Sequence, residues 1–286
     1  MVLINNQEEL NELCDKVSEE EWMGMDTEFM RRTTYFARLC IVQIITPGHQ
    51  IVIDTLTNLD LTPLRDILIN ERILKIVHSP REDFDIFYHL FKIIPKNVFD
   101  TQTAAQVCGI GDFISYGDLC YKVLGVDIDK KHQTSDWLKR PLSQNMLDYA
   151  IKDVWHLKEL YEFLSKELVK KDLLPKYQQK MNMLLAEGCY TVNLNNIWKK
   201  VKFTNHSALF INNMQILAAF REESAIRLNV PRRHFASDED LIKICNNIPQ
   251  NERLLSRLKL TSKYLRKSPY KDRLLELCAG LGDFPV

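Results

Sequence analysis

The sequence lacks the features of a secreted, membrane-spanning or zinc-binding chain. No stretch approaches the roughly 20 consecutive apolar residues that cross a bilayer. The start, MVLINNQEEL, has no basic segment followed by an apolar core, as a secretory signal would. Seven cysteines stand singly, without C-x-x-C or a paired Cys/His spacing. We therefore expect a cytoplasmic protein with reduced thiols and no membrane attachment.

Composition indicates a globular chain with an uneven charge distribution. The 286 residues are 45% hydrophobic and 27% charged, and this length allows one large or two ordinary domains. The formal net charge of zero hides a split: residues 1–190 carry 22 basic and 29 acidic side chains, whereas residues 191–286 carry 16 and 9. An acidic part beside a basic part suggests a cation site next to a polyanion-binding surface, although solvated helix faces would give the same charges.

The order of hydrophobic patterns predicts an α/β fold followed by an all-α unit. Four β-branched or apolar runs read as strands, and helical patterns precede, separate and follow them; the strands are WMGMDTEF, ARLCIVQIIT, HQIVIDT and RILKIVHS. From about residue 100 only helical patterns remain, which favours a mixed sheet backed by helices. Residues 194–280 show helical patterns alone and predict a small bundle.

Two carboxylates, Asp26 and Glu28, share one face of the first of these strands, because residues i and i+2 point the same way. Like charges held this close repel, and a divalent cation turns that repulsion into coordination. A solvent-exposed strand would make the pair unremarkable. Further acids at the same place are needed to indicate a metal site.

Candidates for these further acids lie on two predicted helices. Tyr149 and Asp153 are four residues apart in a strongly helical stretch and therefore share a face. Asp83 lies in the first two turns of a helix that Pro80 opens. Each pattern alone is typical of an ordinary helix, since acids near a helix N-terminus stabilise the macrodipole. Their combination with Asp26 and Glu28 is more specific.

In combination, these residues resemble the motifs of the DEDD-type 3′→5′ exonucleases, in the subclass with Tyr in the third motif, and most closely the ribonuclease D family. The stretches that carry the resemblance are DTEF, HSPRED, FDT, SDWLKRPL and YAIKDVWHL, which occur in this order. The resemblance covers about residues 1–175. The C-terminal part resembles an HRDC domain, a helical nucleic-acid-binding module.

The resemblance implies an RNase H-like mixed sheet and a set of site residues. It implies that Asp26, Glu28, Asp83 and Asp153 bind two divalent metal ions, Mg²⁺ or Mn²⁺, and that Tyr149 orients the attacking water. Four carboxylates match the charge of two such ions, and hard oxygen ligands suit these metals. Tyr149 is a poor general base at neutral pH because an unperturbed phenol has a pKa of about 10.

We expect three segments: an exonuclease domain over 1–175, a helical linker over 176–193 and an HRDC-like domain over 194–286. The best-known ribonuclease D proteins carry two HRDC-like domains, whereas this chain has room for one, which leaves the mode of substrate binding open. The implied function is that of a monomeric exoribonuclease that releases nucleoside 5′-monophosphates from RNA 3′ ends, with tRNA precursors as substrates.

Contacts to nucleic acid are predicted from basic clusters, aromatic side chains and positions next to the acids. The candidates are Thr27, Phe29, His78, Lys131, Arg140, Arg232, Arg233, Lys263, Arg266 and Lys267. Lys130 is a further basic candidate, and Tyr264 and Tyr270 interleave with the C-terminal basic residues. A lone His at a strand end is more often structural, and Phe29 fits the core equally well.

Two alternatives remain open from the residues. A DNA 3′→5′ exonuclease would use the same metal site, because a protein distinguishes RNA from DNA at the 2′-hydroxyl. A non-catalytic nucleic-acid-binding protein on the same fold is the second, and the presence of all four acids argues against it.

Overall fold

A computed structural model of the chain describes residues 1–128 and 135–282. It contains two compact units. The first comprises Met1–Met30 and Ala37–Tyr190, and the second comprises Arg31–Phe36 and the residues from Thr191 onward. The predicted division into an exonuclease domain that ends at 175, a linker that ends at 193 and an HRDC-like domain stays a prediction. None of the helices that the structure describes combines the length and apolar character needed to cross a membrane.

The first unit is built on a six-stranded mixed sheet, which confirms the predicted fold class. The strands are β1 (Val2–Ile4), β2 (Trp22–Met30), β3 (Arg38–Ile45), β4 (Gln50–Asp54), β5 (Leu74–Val77) and β6 (Val98–Asp100). They lie in the order β1-β4-β3-β2-β5-β6. β3 is antiparallel to both β2 and β4, and the remaining neighbours are parallel.

In the part of this unit that the structure describes, the α-helices are α1 (Gln7–Ser18), α2 (Thr62–Ile69), α3 (Arg81–Phe91), α4 (Thr101–Val107), α5 (Tyr116–Leu124), α6 (Gln144–Trp155), α7 (Leu157–Lys170) and α8 (Leu174–Leu184), followed by a 3-10 turn at Glu187–Cys189. α1 and α3 bury apolar side chains with Met23 and Met25 on one face of the sheet. α4 and α7 pack on the other face with Ile76. Covered on both sides, the central strands are apolar along most of their length.

The sequence pattern missed two strands and one break. β1 and β6 have three residues each, too few to show an alternation of period 2. The apolar spacing of residues 143–171 runs on without interruption, yet the structure divides it into α6 and α7 at His156. The spacing of apolar residues shows which side of a helix is buried. It does not reveal a break between two successive helices that pack against the same core.

Gly24 in β2 permits a close approach between the sheet and the start of α7. A Cβ atom at this position would lie 2.7 Å from Cγ2 of Ile45 and 3.2 Å from Cδ1 of Leu157. Separations under 3.0 Å force neighbouring atoms to move. Because Gly24, Asp26 and Glu28 alternate onto one face, the two carboxylates face the side on which α7 packs.

The second unit is helical, with a core of its own. Its helices are α9 (Ala208–Leu228), α10 (Arg232–Phe235), α11 (Asp238–Asn247), α12 (Glu252–Arg257) and α13 (Tyr270–Ala279). Ser237 begins α11 with a capping box, in which its hydroxyl accepts from the backbone N–H of Asp240 and Asp240 accepts from that of Ser237. Phe210, Leu217 and Phe235 lie in the core.

The segment Arg31–Phe36, which connects β2 to β3, is a part of this helical unit. Tyr35 is 6% exposed, and its hydroxyl donates to the buried Glu222, which also pairs with Arg232 at 2.8 Å. Asn229 Oδ1 accepts from the backbone N–H groups of Tyr35 and Phe36, at 3.1 Å each. The helical unit is therefore discontinuous in sequence. With Arg31 and Arg32 its formal charge is +9, against −9 for the first unit.

Substitution of Asn229 tests how much the bonds to the segment Arg31–Phe36 stabilise the helical unit. Asn229 ends α9 at φ 49°, a left-handed conformation that Asn tolerates better than Ala. We expect Asn229→Ala to lower the free energy of unfolding by about 1–3 kcal/mol, because two backbone donors lose their acceptor and the cap becomes strained. Asn229→Gly removes the acceptor without the strain and should cost less. Chemical denaturation of both variants checks this, and a wild-type midpoint for Asn229→Ala would contradict it.

Candidate active site

The site begins at the C-terminal half of β2, where Asp26 and Glu28 share a face. Asp26 pairs with Gln43 and Glu28 with Ile41 across the β2/β3 ladder, and the register shifts just after Glu28. Both carboxylates are partly buried. The ladder with β3 runs from Gly24 to Met30 and fixes the backbone at both acids, whereas β5 pairs with β2 only over Trp22–Gly24. The two acids therefore have little freedom to separate.

Tyr149 and Asp153 reach the site from α6. Ser143 caps this helix by accepting from the backbone N–H of Met146. Tyr149 is 9% exposed, its ring lies 6.2 Å from that of Trp137, and its hydroxyl hydrogen-bonds to the carboxylate of Asp153 one turn later. The predicted pair on one helix face is thus a contacting pair.

Asp83 approaches from α3, on the opposite face of the sheet. It is 8% exposed and accepts a hydrogen bond from the hydroxyl of Thr27. Thr27 alternates away from Asp26 and Glu28, so the acids arrive at β2 from both of its faces. Thr27 is also a predicted nucleic-acid contact. Because its hydroxyl donates to Asp83, such a contact would have to use the backbone of Thr27.

The pKa values of Asp26 and Glu28 respond to the charges of the other acids. Burial, followed by the charges of Asp83, Asp153 and Glu28, holds the pKa of Asp26 well above its ordinary range. Burial and the charges of Asp153 and Asp83 raise the pKa of Glu28 to about 9. Like charges raise the pKa of a carboxylate only when they lie near it, so these contributions indicate that the four acids are neighbours.

The other two acids behave in the same way. Burial raises the pKa of Asp83 to about 6 and that of Asp153 to about 7, and the hydrogen bonds from Thr27 and Tyr149 respectively offset part of the shift. Burial and the charge of Asp153 raise the pKa of the Tyr149 phenol. Tyr149 is therefore a hydrogen-bond donor at neutral pH and not a base.

The donor set fits hard divalent cations. All four groups are carboxylates, and their mutual repulsion would become attraction around a cation. Within residues 1–128 and 135–282, no three acidic, histidine or cysteine side chains converge tightly enough to surround a single ion as they stand. Two of the acids instead accept from protein hydroxyls, those of Thr27 and Tyr149. Ligation would require these side chains to turn inward.

Asp100, at the end of β6, supports the turn that leads to Asp83, and sequence reasoning assigned it no role. Its carboxylate accepts from the backbone N–H of Ser79 at 2.9 Å and from those of Gln102 and Thr103 at 3.0 and 3.2 Å. Ser79 has φ 57°, so this bond holds a strained turn directly before α3. The D-T-Q-T sequence is a helix-start signal, but only the fold brings Ser79 to it.

All the guanidinium N–H groups of Arg140 donate hydrogen bonds within the protein. Its Nε and Nη2 donate to Asp54 at 2.5 and 2.6 Å, and its remaining bonds go to the carbonyls of Cys40, Trp137 and Lys139. These bonds account for the five N–H donors of a guanidinium. Arg140 thus has a structural role in this fold, and its contact with a phosphate stays a prediction that would require some of these bonds to be released.

His78 and Phe29 are also held by the protein. His78 Nε2 donates to the carbonyl of Ile114 at 3.1 Å, and Nδ1 lies 2.9 Å from the hydroxyl of Thr101. Burial lowers the pKa of His78, which keeps the ring neutral. Phe29 packs against the sheet core and is only partly exposed. For His78 the structural interpretation is the better one.

The predicted basic contacts of the second unit fall into two groups. Arg232 pairs with Glu222, and Arg233 with Asp238 at 3.2 Å. The other three, Lys263, Arg266 and Lys267, are exposed within five residues, with Lys263 Nζ 5.1 Å from the Tyr264 ring and Arg266 Nε donating to the Ser262 carbonyl. Lys130 and Lys131 lie outside the described residues.

The raised pKa values predict a stability that falls with pH when no metal is present. Each acid titrates near ~4 in an unfolded chain. In the fold, burial raises the pKa of Asp83 to about 6 and that of Asp153 to about 7, and burial with the charges of Asp153 and Asp83 raises that of Glu28 to about 9. The folded state therefore binds more protons, and its advantage disappears as pH rises through these values. In chelator, the melting temperature should fall between about pH 5 and pH 9.

Asp26→Asn should flatten this dependence and stabilise the metal-free protein at pH 8 by about 1 kcal/mol or more, roughly 2–4 °C for a chain of this size. Added Mg²⁺ should stabilise the wild type and have much less effect on the variant. Glu12→Gln, on the exposed face of α1, is the matched control and should leave the pH profile unchanged. Identical profiles for Asp26→Asn and wild type would overturn the account.

Comparison with known proteins agrees with this geometry. The sequence profile of a family described as 3′-5′ exonuclease matches residues 1–169. Ribonuclease D of Bartonella henselae is 36% identical over 264 residues, which are 92% of this chain and 65% of that protein. The chain spans about two thirds of the length of the curated relatives it matches.

Solved structures extend the comparison to the fold. The crystal structure of Escherichia coli RNase D, described as an exoribonuclease involved in structured RNA processing, has a TM-score of 0.88 and 26% identity, covering 99% of this chain and 76% of that one. Brucella melitensis NrnC with bound Mg²⁺ has a TM-score of 0.54 and 27% identity, covering 66% and 92%. The chain belongs to the 3′-5′ exonuclease family and, within it, to the ribonuclease D group.

Proposed function

We propose that the protein is a monomeric, metal-dependent 3′→5′ exoribonuclease that releases nucleoside 5′-monophosphates from RNA 3′ ends, including those of tRNA precursors. The observation that carries the proposal is the meeting of four mutually repelling carboxylates with a phenol at the end of one strand. Keeping such a cluster costs stability unless cations bind there. Membership of the ribonuclease D group supports RNA as the substrate.

Asp26, Glu28, Asp83 and Asp153 would hold two divalent cations, Mg²⁺ or Mn²⁺. When bound, these ions would stabilise the negative charge that develops on the phosphate during hydrolysis and lower the pKa of the attacking water. The Mg²⁺ in the NrnC structure supports the same class of metal here. The protein's own contribution is to fix the carboxylates on rigid elements, two on β2 and one each on α3 and α6.

Tyr149 has a positioning role in this mechanism. Its raised pKa keeps the hydroxyl protonated, so it can orient the attacking water by a hydrogen bond while Asp153 fixes the direction of the phenol. Asp153 has one oxygen available beyond the Tyr149 bond, which a carboxylate can use for a cation. Proton removal from the water falls to solvent or to a carboxylate, because a phenol of raised pKa is a poor acceptor.

An exonuclease assay tests the proposal directly. With 5′-labelled single-stranded RNA and Mg²⁺ or Mn²⁺, we expect products that shorten one nucleotide at a time from the 3′ end and disappear in chelator. Asp153→Asn should reduce the rate by about 10³-fold or more, as loss of a charge at a two-ion site removes several kcal/mol of stabilisation. Tyr149→Phe should lower kcat substantially and leave the Mg²⁺ concentration dependence nearly unchanged, because the phenol does not coordinate.

The same assay distinguishes the alternatives. A matched DNA of the same sequence that is degraded faster than RNA would make the protein a DNA exonuclease. Absence of shortening on both polymers, with binding retained, would make it a non-catalytic binding protein. Equal losses of turnover and metal dependence in Tyr149→Phe would make Tyr149 a ligand partner.

We further propose that the helical unit is an HRDC-like module that binds a part of the RNA other than the 3′ end that is cleaved. Lys263, Arg266 and Lys267 are the best candidates, because they are exposed and close together, whereas Arg232 and Arg233 neutralise acids of their own unit. Tyr264, beneath Lys263, adds an aromatic surface to this basic cluster.

Changing Lys263, Arg266 and Lys267 together to Gln should weaken binding to a long RNA and reduce its salt dependence. The slope of log affinity against log salt should become shallower by about one for each phosphate that is no longer neutralised. The matched control changes Arg227, Lys243 and Arg273 to Gln, which removes the same charge from three separate helices. Binding at several salt concentrations decides between them. If both triple variants behave alike, net charge alone acts and the cluster has no special role.

A further inference from the structure

Phe113, in the loop between α4 and α5, is the most unusual aromatic side chain of the first unit. It is 82% exposed, more than Tyr121 at 67% or Trp155 at 43%. Its backbone has φ 51°, the left-handed region, which is a genuine outlier for a bulky residue without polar side-chain atoms. Single exposed apolar residues are ordinary, but exposure combined with a strained backbone is not.

The loop around Phe113 is held firmly by the protein. The Ile114 carbonyl accepts from His78 Nε2 and from Gln102 Nε2, both at 3.1 Å. The Ile110 carbonyl accepts from Lys122 Nζ, and the Ile110 N–H donates to the Ala105 carbonyl at 2.9 Å. These bonds anchor the backbone of the loop on both sides of Phe113, so binding at the ring would cost little ordering of the backbone.

This loop lies between the two elements that bring Asp83 and Asp153 to the site. His78, which holds the Ile114 carbonyl, follows β5 and leads into α3, which carries Asp83. Three residues after Phe113, the Tyr116 hydroxyl donates to the Lys152 carbonyl at 3.1 Å and accepts from the His156 N–H at 2.9 Å. Lys152 is the neighbour of Asp153. The loop that carries Phe113 is therefore bonded to the segment that leads into α3 and to the C-terminal end of α6, the two helices that carry Asp83 and Asp153.

We propose that Phe113 is a stacking platform for a base of the single-stranded nucleic acid whose 3′ end is cut at the acids, an inference that rests on the proposed function. Every base has a π face, so an exposed ring on an anchored loop binds a strand without selecting its sequence. A polyanionic strand that approaches nine excess acidic charges gains from such an uncharged interaction. The platform would hold the strand in line for hydrolysis and contribute to binding more than to chemistry.

Binding of a short single-stranded oligoadenylate to the full chain carrying Asp153→Asn tests this without turnover. Adding Phe113→Ala should weaken binding about tenfold, and Phe113→Trp should restore it, since stacking contributes about 1–3 kcal/mol per base. A series of oligonucleotides with one abasic position each should contain a position at which Phe113→Ala has no further effect. That position marks the stacked base.

Tyr121→Ala is the matched control, because it removes an exposed aromatic ring from the neighbouring helix α5, and it should bind like the parent. Equal melting temperatures of Phe113→Ala and the parent exclude a structural cause. Wild-type affinity of Phe113→Ala, or a weakening that persists at every abasic position, would overturn the stacking role. A wild-type protein without exonuclease activity would overturn the proposed function. The effect of Phe113→Ala on oligonucleotide binding would still be measured, because that assay does not depend on turnover.

In turnover, Phe113→Ala in the otherwise wild-type chain should raise KM about tenfold and leave kcat within about twofold, because stacking stabilises the bound substrate and the transition state equally. A fall in kcat with unchanged KM would show that the ring acts on the reacting group, and would overturn the platform.

Discussion

Repulsion among four partly buried carboxylates is the constraint around which the first unit is arranged. Asp26 and Glu28 cannot avoid each other, because strand alternation places them on one face and the ladder with β3 fixes the backbone at both residues. Asp83 and Asp153 are brought to them by helices that pack on opposite faces of the sheet. Burial strengthens each interaction, and the same low dielectric would strengthen attraction to a cation.

Rigid supports hold these charges in place. The absence of a side chain at Gly24 lets α7 approach β2, and α6, which carries Asp153, ends directly before α7. Asp100 secures the turn before α3 through Ser79, and the hydroxyl of Thr27 orients Asp83. These hydrogen bonds hold the acids without placing a positively charged side chain beside them.

The helical unit has a separate electrostatic organisation. The buried Glu222 pairs with Arg232, and the buried Arg221 pairs with the partly exposed Asp238. An exposed basic cluster remains. The segment from β2 to β3 belongs to this unit through Tyr35 and Asn229. A chain cut at residue 190 would therefore remove the surroundings of Tyr35, and activity of such a fragment would not isolate the role of the helices.

The sequence by itself determined the fold class and the identity of the acids, because both follow from local patterns: alternation in β2, i to i+4 spacing in α6, and recurring short motifs. What it could not determine depends on contacts between distant residues. β1 and β6 are too short for periodicity, and they exist because a neighbouring strand supplies their hydrogen bonds. Arg140 reads as a phosphate ligand until folding brings Asp54, 86 residues away, to its guanidinium. Tyr35 and Phe113 had no sequence signal at all, since burial of the one and exposure of the other are set by which helices pack beside them, a property of the tertiary structure alone.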